Sequence, residues 1–184
     1  MKQVVEVLEA SGAEHMLVGS HASSLQGEPR LTHDIDLVVV LPASAARLLA
    51  AAFPPPNFYL DEQSVLDAIR KRDHFNLLDA EGGDKVDFWV LKDDAYARES
   101  FSRRRRASYL GINVDVMAPE DTILSKLAWA ELSGGSEKQF RDVLRVYEVQ
   151  AGQLDLTYLE RWVDPLGVRT LWKRVLTEAE PEAG

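Results

Sequence analysis

Two acids one residue apart open an apolar run, Asp34-Ile35-Asp36-Leu37-Val38-Val39-Val40-Leu41. In an extended strand alternate side chains share a face, so Asp34 and Asp36 project together while Ile35 and Leu37 face the other way. Parallel carboxylates repel one another, and a divalent cation relieves the repulsion. Mg²⁺ or Mn²⁺ suits such hard oxygen donors and keeps coordination positions open for phosphate. The solvent-facing edge of a half-buried strand would explain the pair as well. Val38-Val39-Val40, however, asks for burial on both faces and predicts a central strand. A third acid, Asp87, lies inside Lys85-Val86-Asp87-Phe88-Trp89-Val90. A carboxylate among such neighbours is costly without a cationic partner. Either a neighbouring Lys or Arg pairs with it, or it joins Asp34 and Asp36 as the third ligand of a two-metal site.

A second feature is Gly19-Ser20, placed where a short apolar run gives way to a helical pattern. A helix N-terminus offers unpaired amides and a partial positive charge, which suit a phosphate. Glycine permits close approach of the chain, and a serine hydroxyl can donate to a phosphate oxygen. A plain serine N-cap is the alternative.

The elements that must position these residues alternate in the first two-thirds of the chain. The spacing of Val4, Val7 and Leu8 predicts a helix over 3–11, stopped at Gly12. His15–Val18 reads as a strand, 20–26 as a short helix, and Thr32–Leu41 as the strongest strand, ended by Pro42. A helix over 43–52 follows, then a short strand at Phe58–Leu60 and an amphipathic helix running to about Arg72. His74–Leu78 and Lys85–Leu91, around Gly82-Gly83, predict an antiparallel hairpin. A charged helix near 93–100 leads to Arg103-Arg104-Arg105-Arg106, and Ile112–Val116 is the last expected strand. From Pro119 the pattern is helical only. Pro119 with Glu120 and Asp121 marks a helix start. Ser136 is expected to cap a second helix carrying Phe140, Val143, Leu144 and Tyr147, and two more helices fill 155–163 and 167–177. The expectation is an α/β (α+β) fold: a mixed-sheet core over 1–117, a small C-terminal helical subdomain over 118–178 and a disordered acidic tail over 179–184.

Composition narrows the setting. The 184 residues can bury one core, and 46% apolar with 28% charged residues is a globular balance. No apolar run is long enough to span a bilayer, and the N-terminus lacks a basic-then-apolar signal pattern, so a cytoplasmic location is expected. The absence of cysteine leaves a metal only oxygen or imidazole ligands. A net charge of −9 argues against broad attraction to nucleic acid.

Gly19-Ser20, a spacer, then Arg30-Leu31-Thr32-His33-Asp34-Ile35-Asp36 and an apolar run together resemble the nucleotidyltransferase fold of the DNA polymerase β superfamily. More narrowly they resemble the AbiEii/MenA-type nucleotidyltransferases, the toxin half of bacterial type IV toxin–antitoxin pairs. Glu120–Ala128 looks like that family's K-L-x-A helix, and Arg141-Asp142 like its R/K-D-x-x-D segment, although Arg145 stands where the second acid is usual. The resemblance implies a nucleoside triphosphate held by Gly19, Ser20, Arg30, Lys126 and Asp142. It implies Asp34, Asp36 and Asp87 as catalytic metal ligands for Mg²⁺ or Mn²⁺, an RNA or protein hydroxyl as acceptor, and a cognate antitoxin as partner. Without it, Lys126 between leucines would read as a snorkelling side chain.

Arg103–Arg106 would contact an RNA acceptor or form a solvated loop balancing nearby acids. His21 and His33 flank the candidate site as hydrogen-bonding neighbours or ligands. Trp129, Tyr147, Trp162 and Trp172 are expected in the core. Two rival readings stay open: an antibiotic-modifying transferase like the aminoglycoside and lincosamide enzymes, and a non-catalytic nucleotide-binding module.

Overall fold

The computed structural model describes residues 1–180; the end of the expected tail, 181–184, lies outside them. The chain divides into two units: residues 1–18 with 32–116, and residues 19–31 with those from Met117 onward. The sequence placed 19–31 in the sheet core. The structure instead groups this segment with the helices.

The first unit is built on one mixed sheet. Its strands are β1 (Glu14–Val18), β2 (Asp34–Val40), β3 (Phe58–Tyr59), β4 (His74–Asp79), β5 (Lys85–Val90), β6 (Arg105–Tyr109) and β7 (Ile112–Val116). Their order is β3-β4-β5-β2-β1-β7-β6. The β2–β5 and β1–β7 pairs are parallel and the others antiparallel. The strongest sequence strand therefore lies in the middle, as its apolar run requires. Helices α1 (Lys2–Ala10), α3 (Ser44–Ala52) and α4 (Glu62–Lys71) pack in a row, α1 on β1 and α4 on β4. Their apolar stripes bury Val4, Leu8, Leu49 and Val65. One sheet face supplies Leu17, Ile35, Leu37, Val39, Phe75, Leu77, Val86 and Phe88, all buried. Phe75 and Phe88, opposite each other in register, stack with centroids 4.7 Å apart. The opposite face is less covered: Val38 is half-buried and Val40 exposed. Burial on both faces of β2, expected from its three valines, holds for one face only.

Local chemistry sets the helix ends. Asp61 accepts from the Ser64 amide at 2.8 Å to cap α4, and Asp94 does the same from Ala97 for α5 (Ala95–Ser102). The expected final strand, β7, has a partner the sequence did not show, β6. Arg105 and Arg106 are thus strand residues, not loop. Arg104 pairs with Asp115 at 3.2 Å and Glu14 at 2.5 Å, and Arg106 pairs with Asp115 at 3.3 Å and Glu9 at 3.7 Å.

The second unit comprises α2 (Gly19–Gln26), α6 (Pro119–Leu132), α7 (Glu137–Gln150), α8 (Leu156–Val163) and α9 (Arg169–Glu178), with a tight turn at Ala151–Gln153. Pro119 opens α6, and its first-turn acids are buried with partners: the Asp155 amide donates to Glu120 at 3.1 Å and Tyr158 Oη to Asp121 at 2.6 Å. Ser136 stands at the start of α7 without a capping side-chain hydrogen bond. Trp172 is buried against Tyr147, rings edge to face at 5.7 Å, whereas Trp129 is 52% exposed and outside the core.

Segment 19–31 is held to these helices by polar and steric detail. Gln26 Nε2 donates to the Met117 carbonyl at 2.5 Å, and Gln150 Nε2 donates to the Gln26 carbonyl at 2.8 Å. Gly27 packs directly on α7: a Cβ there would lie 2.9 Å from the Arg145 carbonyl carbon and from the Val146 nitrogen. These are backbone atoms that cannot swing aside. Gly27→Ala is therefore expected to destabilise the chain by about 1–3 kcal/mol, measured by urea unfolding. A loss under about 0.5 kcal/mol, the range of an ordinary surface change, would show that the contact is not tight.

Candidate active site

The parallel β2–β5 pairing fixes the geometry of the acids. Asp36 stands opposite Asp87 and Asp34 opposite Lys85. Residues paired across neighbouring strands share a face, so all four side chains emerge on the side away from the buried apolar face. Strands lie about 4.8 Å apart, which brings the Asp36 and Asp87 carboxyl groups to neighbouring positions. Asp34, Asp36 and Asp87 thus lie on one face of the sheet. Exposure falls from Asp34, which is exposed, through Asp36 to Asp87, which is buried.

Two further residues on this face, Lys85 and Trp89, were not singled out by the sequence. Lys85 Nζ lies 2.8 Å from Asp87 Oδ2. The Asp87 hydrogen bond raises the Lys85 pKa; burial opposes this, and the charges of Asp87, Asp34 and Asp36 add to it. Trp89, next on the same face, donates from Nε1 to Asp36 Oδ1 at 3.4 Å and stacks on His74 with centroids 4.9 Å apart. Of the two explanations of Asp87 offered by the sequence, the structure shows the lysine salt bridge; Asp87 also shares its face with Asp34 and Asp36.

In kind, an all-oxygen trio on one face fits a hard divalent cation. Among the described residues no three acidic or histidine side chains are gathered into a coordination sphere. The Lys85 ammonium, bonded to Asp87, is the cation the structure shows there. His33 is exposed just before β2, and His21 belongs to the other unit, in α2.

The remaining candidates, Gly19, Ser20, Arg30, Lys126 and Asp142, belong to the helical unit. Gly19 turns the chain from strand to helix at φ +63°, a left-handed conformation that glycine adopts without strain. Ser20 does not act as a simple cap. Its Oγ accepts from Arg30 Nη2 at 2.5 Å. The same guanidinium grips Asp142 in a bidentate pair, Nε and Nη2 each 3.0 Å from a carboxylate oxygen. Lys126, buried, reaches Asp142 at 2.7 Å and Gln139 Oε1 at 2.9 Å. Burial alone would raise the Asp142 pKa; the hydrogen bonds and charges of Arg30 and Lys126 outweigh it and hold the carboxyl below the usual carboxylate range. Lys126 is a buried ion-pair partner, not a snorkelling side chain. Arg145, at the position where a second acid was expected, pairs outward with Glu28 at 3.3 Å and Glu148 at 2.9 Å.

No known family profile matches the chain, and no curated protein matches it in sequence. Solved structures do. The solution structure of the antibiotic-resistance factor ANT(2'')-Ia is similar with a TM-score of 0.52 at 14% identity, over 96% of this chain and 92% of that one. The crystal structure of ANT(2'')-Ia in complex with adenylyl-2''-tobramycin gives 0.52 and 14%, over 92% and 95%. This is the nucleotidyltransferase fold. A nucleotidyltransferase-like antigenic protein from Paracoccidioides brasiliensis is also similar, with a TM-score of 0.48 at 16% identity over 97% of this chain and 91% of that one. Among the described residues, no helix is long and apolar enough to cross a membrane.

Proposed function

We propose that this chain is a metal-dependent nucleotidyltransferase, moving a nucleoside monophosphate from a nucleoside triphosphate to an acceptor hydroxyl. The observation that carries the reading is the placement of Asp34, Asp36 and Asp87 on one sheet face of a nucleotidyltransferase fold. These three carboxylates would hold Mg²⁺ or Mn²⁺, which would polarise the phosphoryl oxygens and neutralise charge developing on them. Asp87, the most buried of the three, is assigned the proton of the attacking hydroxyl. The acceptor oxygen bonds the α-phosphorus as the bond to pyrophosphate breaks, and pyrophosphate leaves. Gly19, Ser20, Arg30 and Lys126 are assigned to the triphosphate by their chemistry: a backbone free to approach, a hydroxyl donor and two cations. Asp142 holds Arg30 and Lys126 in fixed orientation. A cytoplasmic setting, where nucleoside triphosphates are plentiful, suits this role.

Two acceptor classes are in play. The resemblance to AbiEii/MenA-type toxins favours a hydroxyl on RNA or protein, Arg103–Arg106 as a phosphate contact and a cognate antitoxin. The ion pairs of Arg104 and Arg106 with Asp115, Glu14 and Glu9 weaken the arginine contribution. Together with a net charge of −9, they favour a small cationic acceptor such as the tobramycin seen in adenylylated form with ANT(2'')-Ia. The test is incubation with each α-labelled nucleoside triphosphate and Mg²⁺, in the presence of total RNA, lysate protein or tobramycin. Label is expected on one acceptor class, read on a gel for macromolecules and by thin-layer chromatography for the drug. Failure of all four nucleotides to label anything would overturn the assignment as an enzyme.

A further inference from the structure

We propose that Lys85 is a built-in counter-ion for the acidic face: its ammonium occupies Asp87 when no divalent cation is bound and gives up that carboxylate when one binds. The inference rests on the assignment of Asp34, Asp36 and Asp87 as cation ligands.

Lys85 and Asp87 are two residues apart on β5, so both point to the carboxylate face. Asp34 and Asp36 stand directly opposite them on β2. Four side chains thus make a two-by-two arrangement of three negative charges and one positive. Three carboxylates at strand spacing repel, and Lys85 is the cation that the sheet itself delivers among them. Its Nζ sits 2.8 Å from Asp87 Oδ2, a lone pair that a metal ion would need. The charges of Asp34 and Asp36 act on the same ammonium along with that of Asp87.

The two partners differ in a way that favours exchange. The Asp87 side chain is only 12% exposed, whereas that of Lys85 is 35% exposed. The carboxylate stays in place while the ammonium, on a flexible four-carbon stem, has solvent to move into. An arginine could grip the carboxylate in a bidentate fork and would release it less readily. Lys85 is therefore a positioning residue. It holds the Asp87 carboxylate aimed into the face, and it sets a threshold that the divalent cation must exceed.

The experiment is Mn²⁺ titration of the full chain, read by the electron paramagnetic resonance signal of free Mn²⁺ and by thermal melting with and without the ion. Loss of one positive charge at this spacing should tighten Mn²⁺ binding by Lys85→Gln about tenfold over the parent. Lys85→Arg should bind no more tightly than the parent. The ion-free melting temperature of Lys85→Gln should fall, and Mn²⁺ should raise it by more than it raises the parent. Lys85→Met, which keeps the stem without the charge, gives the same comparison if the glutamine variant is unfolded at the assay temperature. Unchanged or weaker Mn²⁺ binding in both neutral variants, with the parent binding normally, would make Lys85 a fixed structural partner and overturn the inference alone. If parent and variants all fail to bind Mn²⁺ while remaining folded, the cation assignment itself fails and the inference with it.

Discussion

Asp36→Asn should abolish nucleotidyl transfer while leaving the fold in place. Asp36 is half-buried at the mouth of β2, and asparagine has nearly the same shape. Its amide oxygen can still accept from Trp89 Nε1, which now stands 3.4 Å from Asp36 Oδ1. The stability change should therefore be small, within about 1 kcal/mol by the standard of partly exposed sites. The chemical change is large. One of three negative charges leaves the face proposed to hold a divalent cation, and with it the charge stabilisation that cation would give the reacting phosphate. Such stabilisation is worth several kcal/mol, on the order of a thousandfold or more in rate. The measurement is initial rate of label transfer beside a melting curve of the same preparation. Retention of more than about a tenth of the parent rate, barely 1.4 kcal/mol of effect, would remove Asp36 from the catalytic set. A melting temperature collapsing together with activity would make its role structural.

The elements of the carboxylate face were legible because their signals are local. The alternation Asp34-Ile35-Asp36-Leu37 and the stop at Pro42 define β2, and the Gly82-Gly83 turn defines the β4–β5 hairpin. The i, i+2 rule places Asp34 with Asp36, and it also places Lys85 with Asp87. The pairing of Asp36 with Asp87 was not legible in the same sense. It joins strands some fifty positions apart through a parallel crossover, and no local pattern fixes that register. The strand at Arg105–Tyr109 escaped for a different reason. It lies at the sheet edge, where charged side chains are tolerated and even protective. The acids paired with Arg104 and Arg106 at its start, Asp115, Glu14 and Glu9, come mostly from remote segments. Residues 19–31, with their expected short helix, fall inside the expected 1–117 core because they sit between two strands in sequence. What ties them to the helices is the missing Cβ of Gly27 against α7 and the reach of Gln26 and Gln150, contacts with no periodicity to betray them.

The Asp142 clamp carries the second large expectation, in stability before function. Asp142 and Lys126 have side chains only 10% and 4% exposed, and Arg30 closes the third side with its bidentate pair. Truncating the carboxylate, as in Asp142→Ala, strands a buried ammonium without its counter-charge. Breaking a buried pair in this way costs about 3–5 kcal/mol, because the remaining charge stays desolvated. That is a large part of the stability of an ordinary domain. Lys126→Met in the same chain should restore part of the loss, since the stranded charge goes with it. The pH dependence follows from the lowered Asp142 pKa. In the unfolded chain this carboxyl titrates near its ordinary value of 3.8. Above that value the ionised form contributes its full stabilisation. As pH falls below it, the unfolded state takes up the proton first and stability declines, until the contribution is lost at the lower folded-state pKa. Acid unfolding of Asp142→Ala should therefore be flatter below pH 3.8 than that of the parent. Urea unfolding at neutral pH and at pH 3 checks both claims. A neutral-pH loss under about 1 kcal/mol, the size expected of an exposed pair, would mean that the three side chains meet as a surface network. In that case Arg30 and Lys126 would be held for the triphosphate by something other than Asp142.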